Sequence, residues 1–191
     1  MQCWREDQPR NRPSSLMIML TTEQQKWIDH LSDTDTVAVI PFDPTCEEKF
    51  LQVKNSVQNH FGKQQKVLHR GASALKISGQ DEIDVYVPVP LSDFNQTSEK
   101  MKTIFGDPKS FYPSKRARFV AEVAQKHVDV FVINREDANW LDSEKFHSYL
   151  LSHPTDLEAY RKLKEESAGQ SVREYYRRKT EFINGILAKI G

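Results

Sequence analysis

The chain of 191 residues has few cysteines, no long apolar run and no excess of either charge. Its two cysteines, Cys3 and Cys46, form no metal-ligand spacing. That argues against a disulfide framework or a cysteine zinc site, and for a reducing cytoplasm. Leu16 to Leu20 is apolar over only five residues, too short for a secretory core or a membrane span. Lysine plus arginine (27) equals aspartate plus glutamate (27), so no bulk field draws the chain to nucleic acid or a membrane surface. Internal repeats and low-complexity segments are also missing. A single domain of this length can bury a real core.

What is present reads as an α+β chain. Residues 1–20 mix Arg, Pro, Asn and Ser without periodicity and are expected to form a flexible tail. Residues 21–191 form the expected domain, with a core over about 37–135 and C-terminal helices over about 140–190. Thr22 to Leu31 reads as a helix capped by Thr22 and Gln25, and Val37 to Pro41 as a short strand. Thr45-Cys-Glu-Glu48 offers a second capping box, ahead of an apolar stripe at Phe50, Val53, Val57 and Phe61. Ile83, Val85 and Val87 alternate with Glu82, Asp84 and Tyr86, the period of a strand with one packed face. Phe94, Met101, Ile104 and Phe105 suggest a helix stopped at Gly106.

Arg118 to Ala124 and His127 to Ile133 read as two strands joined through Gln125-Lys126. A hairpin symmetric about that pair sets Glu122 against Asp129 and Arg118 against Ile133. Gln-Lys lacks the Asn-Gly chemistry of a two-residue turn, so this register is a loose expectation. Helices follow over 143–152, 155–168 and 171–190, with Thr155–Glu158 and Ser171–Glu174 as capping boxes and Pro154 between the first two.

Three carboxylates stand out within these strands. Glu82 and Asp84 are two residues apart, hence on one face and roughly 6.6 Å from each other. Asp129 sits between valines in another strand, and neighbouring strands lie about 4.8 Å apart. Should the strands adjoin, the three acids converge, and a bound cation would remove their repulsion. The other reading is a polar sheet face open to water. Gly71 and Ser73 form a small-residue turn able to present N–H groups and a hydroxyl to phosphate, or an ordinary turn. His127 shares a face with Asp129, to orient that carboxylate or to cap the hairpin. Arg116 and Arg118 share a strand face that suits a triphosphate or solvent. Lys179 interrupts the apolar stripe of Val172, Tyr175, Tyr176, Phe182, Ile183 and Ile186, so it either snorkels to water or meets an anion. Tyr160 and Lys164 read as residues that knit helix to domain.

The chain resembles the GrpB family. The resemblance rests on Phe42-Asp-Pro44 with Phe50, His69-x-Gly71, Ile83-Asp-Val85, and His153-Pro154 with Tyr160 and Leu163-Lys164. Tyr176, Lys179, Phe182 and Ile183 complete it, so the likeness runs from about Val37 to Leu187. That family is similar to the nucleotidyltransferase superfamily, and some bacterial dephospho-CoA kinases carry a similar domain. The resemblance implies a small mixed β-sheet backed by helices, with a C-terminal helical layer. It implies Mg²⁺ or Mn²⁺ on Glu82, Asp84 and Asp129, the same three acids serving catalysis. Phosphate or nucleotide would be held by Gly71, Ser73, His69, Arg118 and Lys179. Three departures stand against it: Ala72 occupies the place of the family's serine, a Pro-Gly pair is missing from Leu75-Lys-Ile77, and Cys46 replaces an expected tryptophan. The expected function is transfer of a nucleoside monophosphate from NTP to an acceptor. The alternative is a catalytically silent module binding a nucleotide or a CoA-like phosphate compound. The implied partner in both is a phosphate-bearing small molecule, neither membrane nor nucleic acid.

Overall fold

The computed structural model describes residues 20–191, so all of the expected tail except Leu20 lies outside the described residues. Its organising element is β2 (Glu82–Val89). Ile83, Val85 and Val87 are fully buried on one face, leaving Glu82, Asp84 and Tyr86 on the other. Each such side chain contributes about 1.5–3 kcal/mol on burial, so a one-residue slip that exchanged the faces would be prohibitive.

Helices α2 (Cys46–Phe61) and α4 (Leu91–Phe105) cover the apolar face. Their Phe50, Val53, Val57, Phe94 and Met101 form one core with the valines of β2 and of β5 (Lys126–Asn134). The expected stop of α4 is present, with Gly106 at φ 75°. The five-stranded mixed sheet has the order β1-β2-β5-β4-β3, where β1 is Leu68–Arg70, β3 is Ser110–Tyr112 and β4 is Arg116–Val123. β2 and β5 run parallel with Asp84 beside Asp129, and the other pairs are antiparallel.

The β4–β5 hairpin turns one residue earlier than the sequence suggested. Val123 pairs with Lys126, and Ala124 and Gln125 take φ 47° and 62°, the left-handed pair that a type I′ turn requires. Val120 therefore faces Asp129, Glu122 faces His127 and Arg118 faces Phe131. Lys126 belongs to the strand because its ammonium reaches Asp81 and, at 3.2 Å, Asp43.

Three other local expectations shift. The cap of α1 (Thr22–Asp29) is Thr21 with Gln24, because the extended backbone of Thr21 puts its hydroxyl within reach of the Gln24 N–H. Thr45 turns its hydroxyl to Asp43, 2.6 Å away, and forms no side-chain cap for α2. Val37–Pro41 makes isolated bridges at its flanks, Thr36 to Ser171 and Ile40 to Gly79, and no strand.

The C-terminal layer consists of α5 (Ala138–Ser152), α6 (Pro154–Glu166) and α7 (Val172–Ile190). Ser171 caps α7 by accepting from the Glu174 N–H, as expected. Thr155 caps nothing: Pro154 opens α6 with His153 as its flanking residue. Phe146, Leu150, Tyr160 and Ile186 build a second core with Leu75 and Ile77, which follow α3 (Gly71–Ala74). Among the described residues no helix is long and apolar enough to cross a membrane.

Candidate active-site cleft

The polar face of the sheet is the floor of an open cleft of about 610 Å³, walled by α5, α7 and the edge strand β3. Glu82, Asp84 and Asp129 all line it, because β2 and β5 adjoin in parallel and set Asp84 directly beside Asp129. The carboxylates are nevertheless in different situations. Asp129 is buried; Arg118 Nε donates to its Oδ1 at 2.9 Å, and His127 Nε2 lies 3.0 Å from the same oxygen. Glu82 and Asp84 have no hydrogen-bond or ion-pair partner among the described residues. Burial, then the charges of Glu82 and Asp129, push the Asp84 carboxyl up to about 7, against the opposing pull of Lys179 and Lys164.

The expected metal triad changes by one member. Glu82, His127 and Asp129 present ligand atoms within 4.8 Å of one another, and Asp84 is not of that group. Asp84 instead lies against Gly71, where an added Cβ would overlap its carboxylate. The two carboxylates suit Mn²⁺ or Mg²⁺, whereas an imidazole ligand favours the nitrogen-binding transition metals.

The expected phosphate residues also separate. Gly71 lines the cleft at φ 71°, a left-handed conformation that favours glycine. Ser73 is buried with its hydroxyl 2.9 Å from His69 Nε2, while His69 Nδ1 meets Glu47 at 3.1 Å and its ring stacks on Phe50. Both residues thus brace the turn from behind and do not line the cleft. Arg118 does line it, but its Nε is committed to Asp129. Lys179 projects from α7 into the cleft, 5.2 Å over the ring of Tyr176 and 5.8 Å over that of Tyr175. Burial opposes its charge, yet Tyr160, Tyr175, Tyr176 and Asp84 more than offset this and hold its pKa well above the ordinary lysine value.

Lys164 knits helix to domain, as the sequence suggested. Lys164 is buried, donates to Tyr175 Oη at 3.0 Å, and is pushed down to about 7 by burial and then by Lys179. Sequence reasoning passed over two residues that do line the cleft. Arg70, paired in bidentate fashion with Glu144, and His147 stand at the α5 side. Burial and the neighbouring Arg70 push His147 down to about 4.

The sequence profile of GrpB protein matches residues 36–189. The chain belongs to the GrpB family. No curated protein sequence matches it. The crystal structure of conserved protein GrpB from Enterococcus faecalis is similar, with a TM-score of 0.59 and 16% identity over 80% of this chain and 98% of that one. At that identity the likeness shows the fold. Against this geometry, much of the GrpB signature in this chain is architectural. Asp43 accepts from Thr45 and Lys49 and pairs with Lys126, and the Thr45 bonds hold its carboxyl far below the usual range. His153 stacks on Tyr149 at the α5–α6 joint, 3.7 Å between ring centres. Gly71, Asp84, Tyr160, Tyr176, Lys179 and Ile183 are the signature positions that line the cleft.

Proposed function

We propose that this GrpB protein transfers a nucleoside monophosphate from an NTP to the hydroxyl of an acceptor in the cleft. The observation that carries the reading is the pair of unpartnered carboxylates, Glu82 and Asp84, beside the buried Asp129. Divalent metal, Mg²⁺ or Mn²⁺, would be held by Glu82 and Asp129 with His127 in reach, supplying charge neutralisation at the phosphoryl oxygens. Arg118 and His127 fix the orientation of Asp129. Asp84 stands beside that group with its carboxyl pushed up to about 7, suited to accept a proton near neutrality. The acceptor O–H would give its proton to Asp84 as its oxygen bonds to the α-phosphorus; the bond to the β-phosphate oxygen breaks and pyrophosphate leaves. Lys179 would lie against the phosphates and offset their charge.

A second reading, a binding module of the same fold without transfer, is favoured by Ser73. Its hydroxyl is occupied by His69, so the turn at Gly71 offers phosphate no hydroxyl from that residue.

Melting curves with each NTP, with and without Mn²⁺ or Mg²⁺, test the reading. A bound pair at about 100 times its dissociation constant adds roughly 2.7 kcal/mol of stability. Glu82→Gln or Asp129→Asn is expected to abolish the metal-dependent part. No shift with any NTP and metal would defeat the transfer reading and leave only a module for a non-nucleotide phosphate compound. Metal-linked binding without pyrophosphate release across a broad set of hydroxyl acceptors would leave the silent module.

A further inference from the structure

The cations of the cleft are not equivalent. Arg70 is committed to Glu144 and Arg118 to Asp129, whereas Arg116 has no carboxylate partner among the described residues. Its guanidinium instead lies 5.2 Å over the ring of Tyr112 and 5.6 Å over that of Phe131. Both rings belong to the same cleft, and the ring of Tyr86 continues the row, stacked 4.7 Å from Phe131. Strand register places Phe131 two residues beyond Asp129, about 6.6 Å further along β5. The unpaired cation and the aromatic wall are thus adjacent to the carboxylates but distinct from them.

A guanidinium set over two rings, with no carboxylate partner among the described residues, keeps its N–H groups for a ligand. Its fork matches the two oxygens of a carboxylate or phosphate, and stacking limits the side-chain freedom lost when such a bond forms. The rings alongside suit a flat or apolar body attached to that anion. We infer that Arg116, with Tyr112, Phe131 and Tyr86, forms an oxyanion subsite that takes a carboxylate or phosphate carried on a planar ring. Resting on the transfer reading, this makes the acceptor an anionic, ring-bearing small molecule whose hydroxyl is directed toward Asp84. The subsite lies beyond the acids, so NTP and acceptor occupy the cleft together.

The test titrates benzoate, phenyl phosphate and acetate into the full chain, wild type and Arg116→Gln, by calorimetry, alongside ATP with Mn²⁺. One of the two ring-bearing probes is expected to bind saturably and more tightly than acetate. Arg116→Gln is expected to weaken that probe about ten-fold or more, as loss of charge-assisted hydrogen bonds does, while binding of ATP with Mn²⁺ changes little. Preference for benzoate or for phenyl phosphate assigns the anion. No saturable binding of either probe, or equal affinities in wild type and variant, overturns the subsite. ATP failing to bind while the ring probe depends on Arg116 would instead sink the transfer reading and keep the subsite as a ligand site. Arg116→Lys, which retains charge but not the fork, is expected to restore less than half of the lost binding energy.

Discussion

Asp84 can rest against Gly71 only because that position has no Cβ and adopts φ 71°. Both requirements fall on one residue, so Gly71→Ala meets two costs: a left-handed backbone, about 1–2 kcal/mol, and overlap with the carboxylate, roughly 1–3 kcal/mol. The double variant with Asp84→Ala separates them. Gly71→Ala should cost less in that background by the overlap part, measured as a shift in denaturant midpoint; equal costs in both backgrounds would show that the contact is not under compression. Lys164 gives the second prediction at this scale. Its folded-state pKa of about 7 lies below the ordinary 10.5, so between those values the unfolded chain binds the extra proton. Stability should then rise with pH across about 7 to 10.5, by at most about 1.4 kcal/mol per pH unit. Lys164→Met should remove that slope, whatever the cost of leaving the Tyr175 hydroxyl unpaired. A slope unchanged in the variant would mean that Lys164 is charged in the folded protein at these pH values.

The elements most legible in the sequence are those with a repeated period. β2 announces itself by alternation, α4 by its stripe and Gly106, and α7 by an apolar face with one lysine in it. Edge strands β1 and β3, three residues each, are too short to carry any period, so they form only because longer neighbours offer unpaired backbone groups. Cap choice was legible in kind but not in place at α1, since Thr21 and Thr22 are chemically equal and only backbone geometry selects between them. The β4–β5 hairpin was displaced by a single residue because Lys126 looks like a turn residue until Asp43 and Asp81 are brought beside it. That turn also holds a prediction. Gln125 occupies a left-handed position that glycine adopts freely. Gln125→Gly should raise stability by about 0.5–1 kcal/mol, the relief of strain less the added freedom of the unfolded chain. A lower denaturant midpoint for this variant would show that the turn conformation is not strained.

The molecule keeps two apolar cores on either side of one sheet, and the cleft is the polar seam left between them. Sequence patterning located the acids of that seam because strand alternation fixes which face they occupy. It could not tell which side chains cluster, since whether Asp84 or His127 lies with Glu82 and Asp129 depends on side-chain directions across two strands. For the same reason the sequence left open whether His69 and Ser73 contact phosphate or are structural; they face each other at the turn. Lys179 is where the two levels meet. Its place on the stripe of α7 aims the stem into the seam, and its ammonium lies against the faces of Tyr175 and Tyr176 with no ion-pair partner among the described residues. An ammonium so placed is desolvated at rest and is compensated best when an anion enters. Because its surroundings favour its charge in the folded protein, Lys179→Met should lower stability somewhat, while weakening ATP binding with Mn²⁺ about ten-fold or more, the loss of one charged hydrogen bond at about 1.5–3 kcal/mol. Denaturant melts and calorimetric titration of both proteins measure the two quantities. A lysine that merely lines the helical layer would alter neither, and equal affinities would remove Lys179 from the phosphate site.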